Sequence, residues 1–79
     1  MTKAEILKSL KFQMFDYYRS AEYFKRHEDA EEERLKALND AHCVYKTGRA
    51  LLGYNWRDRL AAAIVEAEEQ AAHEYRDWK

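Results

Sequence analysis

The sequence contains no proline and only two glycines, Gly48 and Gly53, so little in it interrupts a helix. β-Branched residues are sparse as well: Ile6, Val44, Ile64, Val65 and two threonines, too few to favour strands. A single cysteine, Cys43, excludes an intrachain disulfide and points to a reducing, cytoplasmic setting. No apolar run approaches the roughly 18 residues that a membrane span needs. The opening Met1-Thr2-Lys3-Ala4-Glu5 lacks the apolar core of a signal peptide. With a net charge of −1 there is no basic excess for general nucleic-acid binding. Neither membrane nor nucleic acid is therefore the expected partner.

The chain is rich instead in Ala, Glu, Lys, Leu and Arg, the strong helix formers, and an all-α fold is expected. At 79 residues there is room for a single domain, 1–79. Hydrophobic residues make up 47% of the chain, but 12 of these are alanines and only 25 are larger. A core of that size supplies little net stability once chain entropy is counted. Self-association, as a homodimer, is thus expected to help hold the fold. The expected architecture is an antiparallel three-helix bundle, or a helical hairpin completed by self-association, with helices at about 3–26, 29–52 and 56–77.

Each helix has its own signals. Thr2 and Glu5 form a capping box at the start of the first. Its apolar seam runs Leu7, Leu10, Met14, Tyr17, Ala21, Phe24 and fades at Lys25-Arg26-His27. The acids Glu28, Asp29, Glu31, Glu32 and Glu33 suit the positive N-terminus of a second helix. There Leu38, Tyr45 and Leu52 form one row and Ala37, Val44 and Leu51 another, with Ala41 and Gly48 between. A stripe about 200° wide predicts that helix 2 is the central helix, touching two neighbours. Gly48 either lets another helix approach closely or marks an early end; continuation to about Leu52 is favoured, with Gly53 as the stop signal. Asn55 is the expected N-cap of helix 3, whose seam reads Trp56, Leu60, Ile64, Ala67, Ala71, Tyr75, Trp78.

Charge is segmented although the total is near zero. Residues 1–27 carry +3, 28–42 carry −4, 43–59 carry +3 and 60–79 carry −3. Blocks of alternating sign can pair between neighbouring helices; solubility and helix-dipole matching are the plainer explanation.

Helix 1 carries more aromatic surface than its seam requires. Opposite the seam stand Phe12 and Tyr23, with Phe15 at the margin, interleaved with Lys8, Arg19 and Arg26. Aromatic residues and arginine together are what interface centres favour. Three explanations are open: a helix sandwiched so that both stripes are core, a docking face for a second copy or a foreign protein, and a site for an anionic ligand such as a nucleotide, with bases stacked on the rings. A second patch, Arg49, Tyr54, Arg57 and Arg59, lies near the turn between helices 2 and 3.

Catalytic and metal signatures are weak. A ferritin-like di-iron site needs Glu-x-x-His on two helices, whereas Glu69 and His73 are one residue too far apart. His42 and Cys43 are adjacent, so on a helix they point in different directions and cannot readily share an ion. The neighbours Ala41 and Val44 predict a packed, inert thiol. Ser9 and Ser20 have no histidine one helical turn away. No catalytic residue, metal ligand or cofactor is expected. The stretch Ala50–Arg59 has the outline of a helix-turn-helix, but the acids Glu66, Glu68, Glu69, Glu74 and Asp77 that follow would repel a nucleic-acid backbone. The expectation is a small non-enzymatic protein-interaction module, an inhibitor, adaptor or regulator such as a phage or mobile-element antagonist. The alternatives are an oligomeric binder of a small anionic ligand and a DNA-binding regulator.

Overall fold

A computed structural model describes residues 1–76. Among them are three α-helices: α1 (Lys3–Lys25), α2 (Glu31–Leu52) and α3 (Arg57–Arg76), with a 3₁₀ turn at Tyr54–Trp56. The fold is all-α, and its helix packing is that of a helical bundle. No helix among the described residues is long and apolar enough to cross a membrane.

The capping box forms. Glu5 N–H donates to the Thr2 hydroxyl, and the Thr2 N–H donates to the Glu5 carboxylate. α2 starts at Glu31, two residues later than expected, because Ala30 N–H bonds His27 C=O and closes a turn that contains Glu28 and Asp29. No side chain caps α2; its first turn relies on Glu31, Glu32 and Glu33 against the helix dipole. Arg34 pairs with Glu31 and holds that carboxyl below the usual range through a direct hydrogen bond. α2 stops at Gly53, where φ is +85°, a conformation that a side chain disfavours. Asn55 is not an N-cap: it lies inside the 3₁₀ turn that runs straight into α3. Trp78 and residue 77, expected at the end of helix 3, lie outside the described residues, as does the side chain of Tyr75.

The central helix is α1, not α2. Both α2 and α3 pack along α1, while α2 and α3 have little contact with each other. The wide stripe on α2 is misleading for a physical reason. Part of it is alanine and glycine, which mark close approach to one neighbour, and Leu51 is in fact exposed. α1 instead carries large side chains on both flanks of its seam, with Phe15 and Tyr18 half-buried on one and Ile6 and Phe24 on the other. The flanking helices answer with small residues, Ala37, Ala41 and Gly48 on α2 and Ala63, Ala67 and Ala71 on α3, all buried. Small residues there let the backbones approach while the side chains of α1 fill the space.

The core sits where all three helices meet, near the Gly53 turn, and centres on Leu10, Met14, Leu52, Leu60, Ala63 and Ala67. A Cβ on Gly48 would stand 2.9 Å from Leu10 Cδ1 and 3.2 Å from Leu60 Cδ2, so the glycine is what allows the three-way contact. Two ion pairs fix the direction of α3. Lys11 meets Glu66 at 2.6 Å and Arg19 meets Glu74 at 3.7 Å, both at the same sequence offset of 55 residues (66 − 11 and 74 − 19). α3 therefore runs parallel to α1, and α2 runs antiparallel to both. These pairs join the positive first segment to the negative last one. Being half-exposed, they set register more than stability. The radius of gyration is 13.2 Å, against about 12 Å for a compact chain of this length. The bundle is open on the side where α2 and α3 diverge.

Two outcomes follow from this packing. Gly48→Val should lower stability by about 2 kcal/mol, since crowding at a filled core position typically costs 1–3 kcal/mol; urea unfolding measures it. Burial, reinforced by Glu68 of α3, raises the Tyr18 phenol above 10.0. The folded chain then holds this proton more tightly than the unfolded one, so the contribution is intact below pH 10 and is lost as pH rises further. Tyr18→Phe should flatten the decline in urea midpoint above pH 10.

Candidate interaction surface

α1 is flanked by both neighbours and still leaves an arc of about 140° uncovered, at 100° per residue. That arc runs from Lys8, Arg19 and Arg26 through Phe12 and Tyr23 to Asp16, Ser9, Ser20 and Gln13, all exposed. Phe12 is 64% exposed and Tyr23 49%. The rings cannot both be core, and they lie nearly in line along the helix, eleven residues apart. The Tyr23 ring is braced by Phe24, edge-on at 5.4 Å, and by His27 at 4.6 Å. Arg19 leans toward α3 to meet Glu74. Beside it Asp16, Arg19, Ser20, Tyr23 and Phe24 outline a shallow groove of about 250 Å³.

Phe15 does not belong to this face. It is half-buried and packs against the core, because its position on the wheel turns it toward α3. The aromatic and basic members of this face are therefore Lys8, Phe12, Arg19, Tyr23 and Arg26, three cations against the two carboxylates of Glu5 and Asp16, so positive charge prevails by one.

The second patch is brought together as a separate site. Arg49, Tyr54, Arg57 and Arg59 are all exposed around the Gly53 turn. The Arg57 guanidinium lies 4.9 Å over the Tyr54 ring, and that of Arg59 lies 4.5 Å over Trp56. Trp56 itself packs against the core and anchors the turn. Sequence reasoning missed Lys46, which joins Arg49 and Arg57 in one cleft. Its spacing of three from Arg49 on a helix was the available signal.

Cys43 is exposed, not packed: it sits on the outer edge of α2, where a shallow groove with Gln13 and Tyr17 reaches solvent. The flanking Ala41 and Val44 turn inward while Cys43 between them turns out, which adjacency in sequence does not reveal. Among the described residues no group of three or more His, Cys, Asp or Glu converges as a metal site would require. Compared with protein-family models, curated protein sequences and solved structures, the chain finds no match.

Replacing Phe12 by Ser should change stability by no more than about 0.5 kcal/mol, as for surface sites generally, and replacing both Phe12 and Tyr23 by no more than about 1 kcal/mol. Phe15→Ser, by contrast, should cost more than about 1 kcal/mol. Urea midpoints of the two single variants separate an outward face from a core face.

Proposed function

We propose that the chain is a small non-enzymatic protein-interaction module that acts by occupying a partner's surface with the outer face of α1. The observation that carries this reading is the exposure of Phe12 and Tyr23 on the helix that the rest of the bundle holds in place. Scattered exposed apolar residues are ordinary. Two aligned rings among Lys8, Arg19 and Arg26 on one rigid helix are the composition of an interface centre. A helix already buried along its other flanks is also pre-ordered, so docking loses little conformational entropy.

The charge of the face indicates what it fits. Set against a copy of itself, it would bring two sets of basic side chains together. A foreign protein that offers an apolar pocket rimmed by carboxylates complements it on both counts. An inhibitor or adaptor of a larger assembly has this character, and a phage or mobile-element antagonist is one such use. Self-association through the same face is the competing reading, since a core this small gains from a second copy.

Light scattering at micromolar concentration should return the monomer mass of 9.5 kDa for the wild type and for Phe12→Ser/Tyr23→Ser alike. Affinity capture with the wild type should enrich a protein whose binding weakens with salt and disappears in that folded double variant. A doubled wild-type mass that halves in the variant would make the face a seam between copies. A partner retained equally by both forms would remove the α1 face from the function.

A further inference from the structure

The turn between α2 and α3 gathers positive charge that rings of the fold contact but few carboxylates answer. Lys46, Arg49 and Arg57 line a cleft of about 520 Å³ together with Ala50, Gly53 and Tyr54, and Arg59 stands beside it. Residues 43–59 contain one acid, Asp58. Its carboxylate lies 3.9 Å from Arg57 and is 98% exposed, so it neutralises that arginine weakly. Among the described residues no carboxylate lies within ion-pair distance of Lys46 or Arg49.

Helix electrostatics explain only half of this charge. Arg49 in the last turn of α2 suits the negative end of that helix. Arg57 and Arg59 stand in the first turn of α3, where acids are favoured and cations are not. Each gains a ring contact, Arg57 over Tyr54 and Arg59 over Trp56, but among the described residues the only carboxylate near either is the exposed Asp58. A local electrostatic rule broken in this way is often found where a site has a use for it. Tyr54 stands beside them 78% exposed, with Arg57 over part of its ring.

We propose that this cleft binds a nucleotide, with its phosphates among Lys46, Arg49 and Arg57 and its base stacked on Tyr54. Guanidinium groups hold phosphate oxygens through paired, charge-assisted hydrogen bonds. An exposed ring beside them supplies the stacking surface that nucleotide sites use. The volume falls within the roughly 300–1,000 Å³ of small-molecule sites, more than a bare phosphate requires. The depression is open to solvent, and an acidic protein surface would meet the same charges; the exposed Tyr54 ring beside three cations is what favours a planar anion that can stack. The site shares no residue with the α1 face and stands or falls independently of it.

Titration of ATP into the intact chain at low ionic strength, followed by tyrosine and tryptophan fluorescence and by melting temperature, tests the proposal. Saturable binding with a raised melting temperature is expected at millimolar ATP. Arg49→Glu/Arg57→Glu should weaken binding at least about tenfold, the loss expected for charged hydrogen bonds, with the unliganded melting temperature little changed. Tyr54→Ala should weaken ATP binding while leaving pyrophosphate binding as it was. A short oligothymidylate that binds more tightly than ATP, with a steep salt dependence, would show that the same site takes its nucleotide from a strand. Absence of saturation by both ATP and the oligonucleotide overturns the proposal, as does unchanged affinity in the charge-reversed variant. Pyrophosphate binding as tightly as ATP would reduce the site to a charge cluster without base recognition and overturn it too. Tighter binding of hexaglutamate than of ATP would overturn it in favour of an acidic protein partner.

Discussion

The structure depends on the burial of one helix between two others. α1 lies against both α2 and α3, and those two scarcely touch. Several of the large hydrophobic residues, among them Leu35, Leu51, Val65 and Tyr54, are exposed and take no part in the interior. The chain concentrates its buried large side chains on α1 and at the Gly53 turn, and presents alanines elsewhere. The seam with small residues brings backbones together at little cost in volume, while α2 and α3 have little contact with each other on the far side. The lateral ion pairs give α3 its parallel register along a surface that hydrophobic contact alone would leave loosely specified.

Much of the fold could be read from the residues. The absence of proline, the capping box at Thr2 and Glu5 and the glycine at the end of α2 are local signals, and local signals set helix existence and termini. The seams of α1 and α3 were legible because leucines and methionine recur at helical spacing. What the sequence hid was which helix stands in the middle. Periodicity counts Ala37, Ala41 and Leu51 alike as apolar, whereas packing distinguishes an alanine pressed against a backbone from a leucine left in solvent. Asn55 misled for a related reason: a good capping side chain has no role when a 3₁₀ turn already carries the chain into the next helix.

The candidate surface was legible in outline. Phe12 and Tyr23 lie outward because they are opposite the seam, a relation fixed by helix geometry alone. Phe15, at the margin, was decided by the position of α3, which no local pattern encodes. The cleft at the turn was visible only in part, since Lys46 joins Arg57 across a change of chain direction. Cys43 shows the same limit, with its exposure set by the side of α2 that α1 leaves free.

Placing the inward and outward surfaces on one helix restricts how this sequence can drift. Met14 faces the core and Phe12, two positions earlier, faces solvent. Inserting or deleting one residue between them would turn the remainder of α1 by about 100° and carry its core side chains off the buried seam. α1 can therefore tolerate change in side-chain identity but not in length, whereas the 26–30 connection, whose residues are mostly exposed, has freedom to grow or shrink.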